Sequence, residues 1–193
     1  MPIITIDGNI GCGKTSILNY LHRYQKMVID LEPVENWLPY LNRIYTENKD
    51  VFQFQVRVWL DRCWVQEKSD VQVLMERSPF FIRNAFVATV YENGMISEKD
   101  NNILQELHRK TEFLWKDTIH IYLRSSPEKC LQRIQKRNRF SEHSITEGYL
   151  RQLHEKHEEC YNSLVSTQGC VCIDIENKTI SEIAKEIMVS LSK

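Results

Sequence analysis

Eight residues near the N-terminus carry the first recognisable chemistry. Gly8-Asn9-Ile10-Gly11-Cys12-Gly13-Lys14-Thr15 fits the pattern G-x-x-x-x-G-K-[ST]. Three glycines let the backbone bend so that successive N–H groups converge on one anion. An apolar run precedes the loop and a helical pattern follows it, so a helix N-terminus adds its positive dipole end. In such a loop the lysine reaches the β- and γ-phosphates and the hydroxyl ligates Mg²⁺, which are the places of Lys14 and Thr15. The motif specifies a nucleotide phosphate and leaves kinase, GTPase, ATPase and sulfotransferase open.

Further residues could act on a phosphate held there. Glu32 closes a second apolar run, where ligands meet the carboxyl ends of strands in open α/β sheets. Glu76 and Arg77 close a third. Arg133 and Arg137 lie four apart on one helical face, with Arg139 just beyond. Fixed guanidinium groups of this kind stabilise the charge that spreads over a transferring phosphoryl group. Taken alone, these groups also read as a helix-entry acid, a surface ion pair and a solvated basic helix end.

The elements that must position them follow from periodicity. Ile3–Ile6, Val71–Met75 and Ile119–Leu123 are short apolar runs of the kind buried in parallel sheets, and Met27–Leu31 and Cys170–Ile175 are further expected strands. Lys14–Tyr24 has helical spacing. Ser126-Pro127-Glu128 opens a helix with a capping hydroxyl, a first-turn proline and an acid at the positive end. From Ser181, the residues Ile183, Ala184, Ile187, Met188 and Leu191 form an amphipathic stripe. Strands alternating with helices predict an α/β fold with a parallel sheet. One segment stays open on pattern alone. Phe52–Val58 alternates as a strand would, while Phe52, Val56, Trp59 and Cys63 share a helical face.

The 193 residues suit a single domain, 1–193. With 42% hydrophobic and 26% charged residues, the composition excludes a disordered chain. A formal net charge of −1 gives no basic excess for nucleic acid, and no apolar run has the length of a membrane span. The N-terminus lacks the pattern of a signal peptide. The six cysteines form no CxxC pair, which argues against zinc, and without a secretion signal they read as reduced thiols of a cytosolic or nuclear compartment; a cytoplasmic protein is expected. Cys170 and Cys172 alternate on one strand face, with Val171 on the other.

Six motifs occur in order: Gly8–Thr15, Glu32-Pro33-Val34-Glu35-Asn36-Trp37, Phe52-Gln53-Phe54-Gln55, Glu76-Arg77-Ser78, Tyr122-Leu123-Arg124-Ser125-Ser126-Pro127-Glu128 and Arg133-Ile134-Gln135-Lys136-Arg137-Asn138-Arg139. From Ile3 to about Tyr161 the chain resembles the deoxynucleoside kinase family. That family includes deoxycytidine, deoxyguanosine and mitochondrial thymidine kinases, the insect multisubstrate kinase and some viral thymidine kinases. The resemblance implies a five-stranded parallel sheet with helices on both faces, a short arginine-rich lid, ATP and Mg²⁺, a deoxynucleoside acceptor and a homodimer. It also implies a helix over Phe52–Lys68.

Residue by residue, the resemblance makes Glu32 the base at the 5′-hydroxyl and gives Arg77 the 5′-oxygen and phosphate. It gives Glu76 the Mg²⁺ shell, beside Thr15. Lys14 and the lid residues Arg133, Arg137 and Arg139 hold phosphate, with Arg137 and Arg139 acting in catalysis. Glu142 and Tyr45 hold the 3′-hydroxyl. Gln55 pairs with the base edge, as one amide offers both a donor and an acceptor side. Phe86 stacks on the base, and Trp37, Phe54 and Ile10 wall the pocket. Gln55, Val58, Trp59 and Arg62 then share one face towards the base.

Two positions bear on base choice. Arg62 stands where deoxycytidine-type kinases carry arginine, and Ile82 where those enzymes carry its aspartate partner. An isoleucine can neither read an exocyclic amine nor pair with Arg62, which points to thymidine ahead of deoxycytidine. Cys12 and Asp7 replace the family's usual serine and glutamate, and little functional effect is expected of either. Thymidylate kinase, whose acceptor phosphate needs a further cationic grip, and a nucleotide-binding regulator without transfer chemistry are the rival readings.

Overall fold

The computed structural model describes residues 3–47, 49–63, 72–115, 117–166 and 169–192, without the Tyr45 side chain. Strands β1 (Ile3–Asp7), β2 (Val28–Asp30), β3 (Val73–Glu76), β4 (Thr118–Arg124) and β5 (Cys170–Asp174) form one parallel sheet in the order β2-β3-β1-β4-β5. The runs expected at Ile3–Ile6 and Ile119–Leu123 extend onto polar residues at their ends, because ladder bonds continue past the last apolar side chain. The third expected strand keeps its centre and takes in Glu76; its expected first residue, Val71, lies outside the described residues. Met27–Leu31 is trimmed to three residues on the sheet edge, where β2 has only β3 to pair with. The last strand ends at Asp174 rather than Ile175.

Helices cover both faces. The first comprise α1 (Lys14–Gln25), α2 (Val34–Glu47) and α3 (Val51–Cys63). A continuous helical run then joins α4 (Pro79–Phe81), a π-helical stretch Ile82–Val87 and α5 (Ala88–Glu92). They are followed by α6 (Glu98–Thr111), α7 (Pro127–Arg137), α8 (Glu147–Val165) and α9 (Ile180–Leu191). Alternation along β4 and β5 assigns the faces. Ile121, Leu123 and Ile173 pack with Leu18, Leu21, Ile183 and Ile187 of α1 and α9. Tyr122, Cys170 and Cys172 pack with Phe81, Ala85 and Cys160 on the other side. The sheet is thus buried on both sides, which is why its strands read as apolar runs.

The ambiguous segment is helical. Val51, Gln55, Val58, Trp59 and Arg62 of α3 are buried, a spacing that alternation does not produce, while Phe52 and Val56 are only half-buried. The part of the expected helix from 64 to Lys68 lies outside the described residues. Capping matches the sequence signals: Ser126 accepts from the Lys129 N–H at 3.3 Å with Pro127 in the first turn, and Thr179 with Glu182 forms a capping box on α9. α1 is different. Its N-cap is Gly13 at φ 103°, with no side-chain cap and no acidic residue in its first turn. Its leading N–H groups are thereby left open to an external anion.

Asp7, at the end of the central strand, organises the neighbouring turn. Its carboxylate accepts from Ser78 N at 2.7 Å, Ser78 Oγ at 2.9 Å and Thr5 Oγ1 at 2.6 Å, with His120 Nδ1 at 3.4 Å. Burial raises its pKa, but His120, Ser78 and Thr5 together bring it below the ordinary value. Arg77, just before Ser78, has φ 65°, a left-handed conformation that a non-glycine residue keeps only when its surroundings impose it. The bonds from Asp7 to Ser78, with Arg77 N donating to Ile6 O at 2.9 Å, supply that constraint. The carboxylate at position 7 thus fixes the turn that carries Arg77. Asp7→Ala is expected to lower the unfolding free energy by about 3 kcal/mol, since several donors lose a buried charged acceptor. Urea denaturation measures this, and a change below about 1 kcal/mol would show that the turn holds itself.

Candidate active site

At the carboxyl ends of β1, β2 and β3 the chain encloses a cavity of about 670 Å³, the size of a small-molecule site. Ile10, Gly11, Gly13, Lys14 and Thr15 form one wall. Gly8, Asn9 and Cys12 support that wall from behind. A Cβ on Gly8 would lie 2.7 Å from the Leu123 carbonyl oxygen, and one on Gly11 would lie 2.6 Å from that of Cys130. Asn9 Nδ2 donates to Leu150 O at 2.8 Å, and Cys12 is buried. Lys14 Nζ donates to the carbonyls of Gly8 and Asn9 at 3.1 and 3.0 Å.

Glu76 joins three parts of the site. Its Oε1 accepts from Thr15 Oγ1 at 2.7 Å, and its Oε2 accepts from the backbone N–H of Glu32 at 3.3 Å. Glu32 in turn accepts from Arg77 Nε across a short ion pair. These two side chains are 10% and 9% exposed, so the pair is nearly dry. Burial pushes Glu32 up, but the charges of Arg77, Lys14 and Arg62 outweigh it and hold the carboxyl below the usual range. The guanidinium carbon of Arg77 also lies 3.9 Å from the centroid of the Phe86 ring. The Glu76-Arg77 pair is therefore no surface ion pair.

The opposite charge pattern occurs at the lid. Arg133, Arg137 and Arg139 all line the cavity. α7 ends at Asn138 in the left-handed conformation, and Arg139 enters a short 3₁₀ turn, Phe140–Glu142. Arg133 donates to Ser125 Oγ at 2.9 Å. Arg137 makes a two-pronged pair with Glu142, one bond at 2.6 Å and one shorter, and Arg139 Nη1 lies 3.8 Å from the same carboxylate.

Of the residues expected around an acceptor, Glu32, Trp37, Phe54, Gln55, Val58, Arg77, Ile82, Phe86 and Glu142 line the cavity. Trp37 is fixed by its Nε1–H on Asp61 Oδ2 at 2.8 Å and meets Phe54 edge-on. The expectation for Tyr45 falls on a side chain outside the described residues. Two expectations for the α3 face are corrected. Trp59 packs into the helical core, with its ring centroid 5.1 Å from that of His108. Arg62 does not line the cavity; it turns to β2, where Asp30 Oδ2 accepts from Nη2 at 2.7 Å. Trp59 is turned about 100° round the helix from Val58 and so faces α6, while Arg62 lies a turn beyond Val58, where Asp30 receives it. Sequence reasoning missed Tyr149, Lys136, Ser144 and Met95, which also line it. Only Lys136, inside the arginine-rich segment, carried a signal.

A glycine-rich loop with lysine and threonine on a five-stranded parallel sheet, faced by an arginine-rich helix end, defines a P-loop kinase. The comparisons narrow this. The family model described as deoxynucleoside kinase matches residues 4–193, and the chain belongs to that family. A protein of Invertebrate iridescent virus 3 is 30% identical over 196 residues, covering 99% of this chain and 96% of its own. Mitochondrial thymidine kinase 2 of Homo sapiens is 32% identical over 176 residues, 81% of this chain and 63% of that protein. Among solved structures, a deoxyadenosine kinase from M. mycoides with dCMP and dCDP bound is 26% identical with a TM-score of 0.85, covering 98% of this chain and 97% of the other.

The buried pair has a consequence for stability. The folded pKa of Glu32 lies below its ordinary value of 4.5, so its contribution is complete above that pH and is lost as pH falls through the folded value. Glu32→Gln is expected to cost about 3 kcal/mol at pH 7, by leaving Arg77 buried without its partner. The variant should then lose less than wild type on acidification. Thermal melts at pH 7 and pH 4 check this, and parallel losses in the two proteins would count against it.

Proposed function

We propose that this kinase transfers the γ-phosphate of ATP to the 5′-hydroxyl of a pyrimidine deoxynucleoside, thymidine ahead of deoxycytidine. The observation that carries the reading is the shared carboxylate of Glu76, which ties the phosphate-loop threonine to the backbone of Glu32. The phosphate site and an acidic acceptor site thus abut in one cavity. A carboxylate facing the acceptor suits a neutral hydroxyl, whereas a monophosphate acceptor would need a further cation, and the one beside Glu32, Arg77, is already paired with it. No ordered step requires a covalent enzyme intermediate.

In this reading the loop N–H groups and the uncapped start of α1 hold the β- and γ-phosphates with Lys14. Thr15 and Glu76, whose oxygens are already 2.7 Å apart, fit a Mg²⁺ ion, which when bound neutralises phosphate charge. Glu32 is ionised at neutral pH and accepts the 5′-proton, while Arg77 keeps the attacking oxygen in line. Arg137 and Arg139 leave Glu142 for the phosphoryl oxygens, and Glu142 turns to the 3′-hydroxyl, with Tyr45 against the sugar. Gln55 pairs with the base, Phe86 stacks on it, and Trp37, Phe54, Val58 and Ile82 close the apolar walls.

Purified protein with Mg²⁺-ATP is expected to convert thymidine and deoxycytidine to their monophosphates, with slower transfer to purine deoxynucleosides. Diphosphate formed only from thymidine monophosphate would replace this reading by a thymidylate kinase. Glu32→Gln is expected to lower kcat about 10²- to 10⁴-fold while ATP binding stays within about threefold of wild type. An unchanged turnover in that variant would exclude Glu32 as the base.

A further inference from the structure

Arg62 is the largest fully buried side chain among the described residues, 1% exposed, and it stands apart from the cavity that its own helix walls. Gln55 and Val58, seven and four residues earlier on the same face, both line that cavity, as does Ile82. The Arg62 guanidinium instead reaches the end of β2. Nη2 donates to Asp30 Oδ2 at 2.7 Å and to the Asp30 carbonyl at 3.4 Å, and Nη1 donates to the Leu31 carbonyl at 3.2 Å. Its Nε–H is buried without a partner among the described residues. A guanidinium in such surroundings persists only beside a counter-charge. Asp30 supplies it from a different element than position 82, where an isoleucine stands.

We infer that Asp30 is a positioning residue for base selection: it draws Arg62 back onto β2 and so keeps the inner wall of the base pocket apolar, with room for the 5-methyl group of thymine. The inference rests on the reading of this cavity as a pyrimidine deoxynucleoside site. Asp30 is well placed for the task. Its side chain is 32% exposed and keeps contact with solvent, while Arg62 has none. Without the Asp30 charge, the buried guanidinium must find another carboxylate. Glu32 lies two residues further along the chain and already feels the Arg62 charge. Turning towards Glu32 brings Arg62 to the cavity beside Val58 and Ile82. There it fills the volume of a methyl group and sets N–H donors against apolar carbon. Thymidine would suffer more than deoxycytidine, which has no methyl at that ring position.

The test compares kcat/KM for thymidine and deoxycytidine in Asp30→Asn, with the KM for ATP measured alongside. The thymidine-to-deoxycytidine ratio is expected to fall about tenfold, the scale on which an apolar pocket tells one methyl group from none, while the KM for ATP stays within about twofold. Asp30→Glu, which keeps the charge, should hold the ratio near wild type. Asp30→Asn combined with Arg62→Met should restore it, because no cation is left to enter the pocket. A fold defect would instead lower both nucleosides and ATP together. An unchanged ratio in Asp30→Asn, or a double variant as poor with thymidine as the single one, overturns the inference and leaves the kinase reading intact. Should Asp30→Asn not fold, the double variant, with no buried charge, is still required to keep the wild-type ratio, and a tenfold shift there also overturns the inference. Wild-type protein that phosphorylates neither pyrimidine removes the kinase reading and the inference with it.

Discussion

A buried carboxylate at the end of the central strand governs the geometry of the cleft. Asp7 binds both the N–H and the hydroxyl of Ser78, and through them it holds Arg77 in a left-handed conformation. From that backbone Arg77 meets Glu32 while its guanidinium carbon sits over the Phe86 ring. The energetic logic is asymmetric. A buried carboxylate with several donors adds modestly to stability, but losing it strands every donor at once. The arrangement places its strain beside the phosphate loop, where a fixed guanidinium is more useful than a relaxed one.

Glu76 extends this order sideways. Thr15 lies in the first turn of the helix that follows β1, Glu76 ends β3, and Glu32 follows β2, and the sheet order sets these three strands side by side. Parallel strands put all three carboxyl ends on one edge, so a few short bonds suffice to join loops that are far apart in sequence. α2, α3 and the helical run from Ile82 to Val90 then close the apolar part of the cavity around them.

The sequence carried the fold well because the inner strands β1, β3 and β4 are covered on both faces and read as apolar runs. The phosphate loop was legible since its function is written in backbone geometry, which glycines declare openly. α3 was not legible from pattern alone: Phe52–Val58 happens to alternate, and packing of Val51, Gln55 and Val58 overrode that signal. Side-chain direction was the harder problem. Spacing put Arg62 on the base-facing stripe but said nothing of Asp30, whose carboxylate redirects it. Tyr149 and Met95 reach the cavity from α8 and from the loop after α5, and neither has a local pattern that marks it. The influence of Asp7 depends on a turn 71 residues away, a distance over which no periodicity speaks.

The lid arginine Arg137, like Arg77 and Arg62, rests against a carboxylate of the same chain. Charges paired this closely cancel beyond a few ångströms, and the whole chain carries a formal net charge of only −1. Lys14, Arg133 and Lys136, however, line the same cavity with no carboxylate paired to them among the described residues, so the cleft keeps a positive excess that draws an anion inwards. A nucleotide would therefore arrive faster at low ionic strength, and added salt would slow it. The attraction strengthens again at contact, where Arg137 would exchange Glu142 for phosphate oxygen.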